Sequence, residues 1–155
     1  MSGAARKKVV IIGAGFAGIE VARGLRSASV SITLIDQQNF HLFQPLLYQV
    51  ATAALSPADI AEPVRRMFRG GSNLEIRLGE VIAISPEDRR ITLADGTRLS
   101  YDILVVAAGS THTYFGHDKW ETFAPGLKTI EDARTIRSRL LLSFERAETN
   151  PDPEE

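Results

Sequence analysis

A glycine-rich turn between an apolar run and a helical pattern constrains the fold of this chain more than any other feature. The run, residues 9–12, is unbroken and β-branched, which is typical of a strand buried on both faces of a parallel sheet. The turn occupies residues 13–18, and apolar residues at helical spacing follow over 19–25. A second strand pattern, 31–35, ends at Asp36. The sequence therefore predicts a βαβ unit and an α/β fold built around a parallel sheet.

The spacing of the glycines and the acid predicts a dinucleotide site. Gly13 allows a sharp turn out of the strand, Gly15 lets the backbone approach a pyrophosphate, and Gly18 lets the helix pack closely on the sheet. The phosphates would lie at the positive N-terminus of the helix. A carboxylate at Asp36 can accept both ribose hydroxyls of an adenosine and repels a 2′-phosphate. The alternative is a tight strand–helix turn without a ligand, and the turn itself does not separate FAD from NAD.

Composition excludes several classes of function. The chain has 155 residues, about one domain, with 18 basic and 19 acidic residues, so its net charge of −1 shows no basic excess for nucleic acid or anionic lipid. It has no cysteine, which excludes disulfides, thiolate nucleophiles and cysteine-ligated metals. The uncharged run 37–58 is too rich in Gln, Asn and Pro for a membrane span. We expect a cytoplasmic protein with no metal site and no catalytic side chain.

The remaining patterns predict further strands and helices. Ser56-Pro57 is an N-terminal helix signal, so we expect a helix over about 58–68 after a polar loop at 37–45. Thr129 and Asp132 form a capping-box pattern at the start of a last helix. Strand patterns predict a small antiparallel meander, with an Asp95-Gly96 hairpin turn, between two strands of the parallel sheet. The meander strands are 80–84, 90–93 and 97–99, and the flanking strands are 74–78 and 101–109.

Longer motifs resemble one family. Thr97, Tyr101-Asp102, Leu104-Val105, Ala107 and Gly109 match the second fingerprint of two-dinucleotide flavoprotein reductases. Within that class, four segments resemble type II NADH dehydrogenases, the non-proton-pumping NADH:quinone oxidoreductases. They are residues 39–52, 55–61, 111–117 and 124–133. The resemblance covers nearly all of residues 7–148.

This resemblance implies a Rossmann-like FAD-binding domain with a meander crossover. NADH would pass a hydride to the flavin, which would pass two electrons to a quinone, so the cofactor carries the chemistry. Ala108 departs from the family, which usually has Thr there, so one hydroxyl near the cofactor is missing. The implied cofactor contacts are Gly13, Ala14, Gly15, Phe16, Ala17, Gly18 and Asp36 for the ADP half, Val81 for the adenine, Gln44, Pro45 and Leu46 beside the isoalloxazine ring, and Ala108 and Gly109 for close backbone approach.

The same resemblance makes the chain incomplete relative to the family. The family has a second glycine-rich fold for NADH after the last helix and membrane-docking helices at its end, and this sequence has no second GxGxxG. We interpret residues 1–149 as the N-terminal segment of the FAD-binding domain and 150–155 as an acidic tail. We expect the chain alone not to be competent. NADH and quinone binding and peripheral attachment to the cytoplasmic face of a membrane would belong to the complete protein, and a homodimer stays open.

Other interpretations remain. The chain could be a truncated, non-catalytic dinucleotide-binding module, or part of a ferredoxin- or rubredoxin-reductase relative. The absence of cysteine argues against disulfide reductases and sulfide:quinone reductases, which need a cysteine pair. His41 could reach the flavin or ribose, but a partly exposed loop residue is the more expected role. We expect His112 and His117 to be structural loop residues and Trp120 a surface packing anchor.

Overall fold

The structure is a computed structural model that describes residues 6–70 and 72–150. The described chain forms two compact units. The sheet unit contains the residues up to His41 together with Glu62–Gly109, and the helix unit contains Leu42–Ala61 and the residues from Ser110 onward. Residues 151–155 of the predicted acidic tail lie outside the described residues.

The described residues form nine strands and four α-helices. In chain order they are β1 (Lys7–Ile12), α1 (Phe16–Gly24), β2 (Val30–Asp36), β3 (Phe40–Leu42), α2 (Leu47–Ala51), β4 (Ala61–Pro63), α3 (Val64–Met67), β5 (Leu74–Leu78), β6 (Val81–Ser85), β7 (Arg90–Leu93), β8 (Arg98–Ser100), β9 (Ile103–Val106) and α4 (Ile130–Thr149). Short 3₁₀ helices cover Gln44–Leu46, Pro57–Asp59 and Asp118–Thr122.

The sheet unit is built on a parallel sheet with the strand order β5-β2-β1-β9. Ile11 in β1 pairs with Leu34 in β2 and with Val105 in β9. These pairs confirm the predicted βαβ unit and the α/β fold. The second flanking strand is shorter than predicted, because only Ile103–Val106 of residues 101–109 is extended and paired.

Strand β1 is buried on both faces, which explains its unbroken β-branched sequence. Val9 and Ile11 belong to the core that includes Ile19 of α1. Val10 faces the other way and shares a core with Ile91 of β7. One face of the sheet is therefore covered by α1 and the other by the meander.

The meander β6-β7-β8 is antiparallel, as predicted. Its hairpin turn has Gly96 at φ +82°, a backbone conformation that glycine adopts without a steric penalty. The Thr97 amide donates to Asp95 Oδ1 at 2.8 Å. Hydrogen bonds from the Thr97 backbone and side chain hold the pKa of Asp95 below its usual value. The Asp-Gly pair therefore forms the expected turn.

The predicted helix over 58–68 is wrong. Ser56 does form a capping box, but it caps only the 3₁₀ turn Pro57–Asp59. The chain then extends as β4, which pairs with β3, and a short helix, α3, follows. Pro63 lacks an amide donor and disfavours the helical conformation of the residue before it, so a continuous helix is not available. The predicted polar loop 37–45 is wrong in the same region because it contains β3 and the start of a 3₁₀ turn.

The helix unit packs α2 against α4. Leu47, Val50 and Ala51 of α2 share a buried core with Ala133 of α4. The Arg137 guanidinium donates to the Leu55 carbonyl at 3.2 Å, which ties α4 to the loop after α2. None of the described helices combines the length and the apolar character that a transmembrane span needs.

Helix α4 begins with the predicted capping box. The Asp132 amide donates to Thr129 Oγ1 at 3.1 Å, and Asp132 Oδ2 accepts from the Thr129 amide at 2.9 Å and from the Lys128 amide at 3.0 Å. Partial burial raises the pKa of Asp132, but these amide donors, Thr129 and nearby His112 outweigh it, so the pKa lies below its usual 3.8. The ionised carboxylate is therefore the form that stabilises the fold.

This cap gives a pH-dependent stability prediction. Asp132→Ala should lower the free energy of unfolding by about 1 kcal/mol at neutral pH, because it removes the carboxylate that accepts the Lys128 and Thr129 amides just before α4. The folded pKa is depressed, so the carboxylate's contribution is present above about pH 4 and is lost as the pH falls below it. Urea unfolding of both proteins between pH 3 and pH 7 measures the difference. Glu148→Ala, an exposed carboxylate at the other end of α4, is the control, and a gap that stays constant with pH contradicts the assignment.

Candidate functional site

A cleft of about 260 Å³ opens at the carboxyl end of the parallel sheet. Strand β1 has β2 on one side and β9 on the other, so the strand order reverses there, and ligands of open α/β sheets bind at such switch points. The volume is just below the roughly 300–1,000 Å³ of pockets that hold a drug-sized ligand, so the cleft suits part of a dinucleotide. Its lining residues are Ile12, Gly13, Ile35, Asp36, Gln37, Gln38, Gly79, Val81 and Ala108.

Gly13 lies where β1 passes closest to the end of β9. Its φ is +102°, and its amide donates to the Ile35 carbonyl at 2.7 Å. A Cβ added to Gly13 would overlap the Ala107 carbonyl oxygen. The position therefore needs glycine for two reasons, the backbone conformation and the lack of space.

Gly15 and Gly18 differ in what surrounds them. Gly15 is the N-cap of α1, and no atom lies within 4 Å of the place where its Cβ would stand. A Cβ on Gly18 would overlap the Gly13 carbonyl oxygen. Gly18 is thus required for the packing of α1 on the turn, whereas the structure leaves the space beside Gly15 open. Ligand binding at Gly15 remains a prediction.

Asp36 supports the turn as well as facing the cleft. Its Oδ2 accepts from the Ala14 amide at 2.5 Å, and its Oδ1 accepts from the Gln38 amide at 2.8 Å. A carboxylate has about four acceptor positions, so each oxygen can accept one further hydrogen bond. The sequence predicted the acid from its place at the end of β2, but it missed the bond to Ala14, which joins residues 22 apart.

His41 lies on β3 and contacts the same turn. Its Nδ1–H donates to the Ala14 carbonyl at 3.1 Å, and its ring meets the Phe16 ring edge-on at a centroid distance of 4.9 Å. His41 is partly exposed, as expected, but it lies on a strand and not in a loop. Since β3 was not predicted, no local signal placed this side chain beside the turn.

The other wall of the cleft comes from the ends of β5 and β9. The Gly79 amide donates to the Asp36 carbonyl at 2.8 Å, which brings the start of β6, including Val81, to the cleft. Ala108 presents only a methyl group here, and Gly109 follows it with φ +75°. The predicted residues Gly13, Asp36, Val81 and Ala108 therefore line one cleft.

The remaining predicted residues lie in the helix unit. Gln44 Nε2 donates to the Lys128 carbonyl at 3.3 Å, and Leu46 packs against the core of α2 and α4. The ring of His117 stacks on Trp120 at 4.4 Å, which is consistent with the predicted structural roles of both. In the described part of the chain, no three histidine or acidic side chains gather as metal ligands.

Comparisons with known proteins assign the chain to a family. The model of the pyridine nucleotide-disulphide oxidoreductase family matches residues 7–146. This chain belongs to that family. It is 51% identical over 150 residues to the type II NADH:quinone oxidoreductase NdhA of Mycobacterium tuberculosis, an alignment that covers 95% of this chain and 32% of that protein. The chain thus spans about a third of the length of the relatives it matches.

Two solved structures have a similar fold. An NADH complex of NDH2 from Plasmodium falciparum has a TM-score of 0.82 and 26% identity, covering 95% of this chain and 31% of that one. The sulfide:quinone oxidoreductase of Aquifex aeolicus has a TM-score of 0.77 and 28% identity, covering 94% and 33%. The fold is therefore shared by proteins named for different substrates, and the site residues have to separate their functions.

Alanine substitutions at three glycines, Gly15, Gly18 and Gly24, give a test of the site. Gly15→Ala should lower the unfolding free energy by no more than about 1 kcal/mol, because open space surrounds the new methyl group and alanine is only a poorer N-cap residue than glycine. It should weaken ADP binding, because the methyl group would occupy the space where a pyrophosphate approaches. Calorimetric titration with ADP and urea unfolding measure the two quantities separately.

Two further variants serve as controls. Gly18→Ala should destabilise the fold by about 1–3 kcal/mol, since the methyl group meets backbone that cannot move aside. Gly24→Ala, near the exposed end of α1, should stabilise it by up to about 1 kcal/mol and leave ADP binding unchanged. If Gly15→Ala binds ADP as tightly as the parent chain does, Gly15 is not part of the binding site.

Proposed function

We propose that this chain holds the ADP half of FAD in an NADH:quinone oxidoreductase. The observation that carries the proposal is the cleft at the switch point of the sheet, where the glycine turn, Asp36 and Val81 meet. The space beside Gly15 is open, and the amides at the start of α1 are the donors that a pyrophosphate accepts from. The residues present therefore fit a dinucleotide.

The charge of the cleft favours a ribose without a 2′-phosphate. Of the described residues that line it, Asp36 alone is charged at neutral pH. The Asp36 carboxylate would repel a 2′-phosphate on the ribose, and no arginine or lysine is among the described lining residues to neutralise that charge. The unoccupied acceptor positions of Asp36 instead suit the two ribose hydroxyls of the adenosine in FAD or NAD.

The chain's own residues bind and orient the cofactor. When bound, FAD supplies the two-electron chemistry, accepting a hydride from NADH and passing electrons to a quinone. Asp36 and Val81 would hold the adenosine, and the turn would hold the pyrophosphate. Gln44, Pro45 and Leu46 would lie beside the isoalloxazine ring, and Ala108 and Gly109 would allow close backbone approach. Peripheral association with the cytoplasmic face of a membrane and a homodimer are proposals for the complete protein.

The choice of NADH and quinone rests on the relatives. The Mycobacterium tuberculosis relative is named for NADH:quinone oxidoreduction, and the Plasmodium falciparum structure contains NADH. Because no residue of the chain is a cysteine, reactions that use a redox-active cysteine pair are disfavoured despite the family's name. This supports electron transfer from the flavin to a diffusible acceptor.

A second candidate is a dinucleotide-binding module without turnover. It is favoured by one observation, that all residues lining the cleft lie within the sheet unit. Such a module would be stabilised by ligand, by RT ln(1 + [L]/Kd), without oxidising NADH.

A chimera separates the two candidates. Residues 7–146 of this chain would replace the matching third of the Mycobacterium tuberculosis relative. We expect the chimera to retain an FAD absorption band and to oxidise NADH only when a quinone is present. A chimera that holds FAD but transfers no electrons to quinone would contradict the oxidoreductase and leave the binding module.

Asp36 provides a prediction for the binding step alone. Asp36→Ala should weaken FAD binding by about 10- to 100-fold, because hydrogen bonds to a charged acceptor contribute about 1.5–3 kcal/mol. Fluorescence quenching of FAD on titration with the chain measures the affinity. The matched control is Asp95→Ala, since Asp95 also accepts a backbone amide in a turn of the sheet unit but does not line the cleft. Equal losses in both variants would refute a ribose contact at Asp36.

A further inference from the structure

We propose that His41 is a positioning residue that orients the Gly15 amide toward the pyrophosphate. The inference rests on the proposed dinucleotide site and adds a residue to it. Its basis is the hydrogen bond from His41 Nδ1–H to the Ala14 carbonyl oxygen at 3.1 Å. That carbonyl and the Gly15 amide belong to the same peptide group.

Peptide planarity transmits the effect of this bond. In a trans peptide the C=O and the following N–H point in opposite directions within one plane. When His41 holds the Ala14 oxygen on its own side, the Gly15 N–H points to the opposite side. The structure contains no cis peptide bond in the described residues, so this geometry applies at Gly15. His41 therefore sets the direction of a donor that it does not touch.

The bond from His41 restrains this peptide group where Gly15 itself gives little restraint. Gly15 has no Cβ, and nothing lies within 4 Å of the position where one would stand, so no side chain at position 15 limits the rotation. The preceding peptide group is held independently, because the Ala14 amide donates to Asp36 Oδ2 at 2.5 Å. Asp36 and His41 thus fix two consecutive peptide groups of the turn, one through the amide and the other through the carbonyl of Ala14.

The position of His41 is itself well defined. Its ring meets Phe16 edge-on, with centroids 4.9 Å apart and an interplanar angle of 90°. Ala14 is only 3% exposed, so its carbonyl needs a partner within the protein. His41 is that partner. It lies on β3, which pairs with β4.

Paired ligands distinguish orientation of the donor from general support of the cleft. ADP carries the pyrophosphate, and adenosine presents the same base and ribose without it. His41→Ala should weaken ADP binding by about three- to tenfold, the loss expected for one hydrogen bond, and adenosine binding by less than about twofold. His41→Asn places an amide donor near the position of Nδ1 and should restore ADP affinity. His41→Gln places its amide near Nε2 and should not.

Backbone amide chemical shifts of the ligand-free chain give an independent reading. The Gly15 amide shift should move in His41→Ala and return toward the parent value in His41→Asn, while the amide shifts of β1 stay unchanged. Equal losses of ADP and adenosine affinity, or unchanged ADP affinity and an unchanged Gly15 shift in His41→Ala, would overturn the role of His41. If the parent chain binds neither ligand, the dinucleotide site itself is overturned. This outcome distinguishes failure of the proposed site from failure of the role of His41.

Discussion

The lack of space around the glycine turn is the constraint on which the sheet unit depends. Gly13 fits between β1 and the end of β9 only because it has no side chain, and Gly18 lets α1 approach the Gly13 carbonyl for the same reason. These two contacts place the N-terminus of α1 at the carboxyl edge of the sheet. The burial of β1 on both faces, by α1 and by the meander, follows from that placement. Packing and the candidate site therefore share one local geometry.

The elements that could be predicted are those with local signals. The β-branched run of β1, the Asp95-Gly96 turn and the Thr129–Asp132 capping box each depend on residues close in sequence, and each is present. The pairing of β3 with β4 depends on residues about 20 apart, and a favourable helix start at Ser56-Pro57 concealed it. Pro63 was the available signal against a continuous helix, because proline in a helix interior removes a hydrogen bond.

The candidate site also combines features that have local sequence signals with contacts between residues distant in sequence. The glycine spacing and the acid at the end of β2 could be predicted from the sequence, since each has a known relation to a strand end. The supporting bonds from Asp36 and His41 to Ala14 join residues 22 and 27 apart, so no local pattern reveals them. They show how a flexible, glycine-rich segment keeps one conformation. Glycine supplies the freedom to form the turn, and two polar side chains then restrict that freedom.

We propose that the cleft of the sheet unit holds the ADP part of a dinucleotide. The most direct measurement is an ADP titration of the isotope-labelled chain followed by backbone amide chemical shifts. Binding in the cleft predicts saturable changes at the glycine turn, Asp36 and Val81, with the amides of α4 unaffected. Saturating ADP that moves no amide in the turn, or that moves only amides of the helix unit, would contradict it.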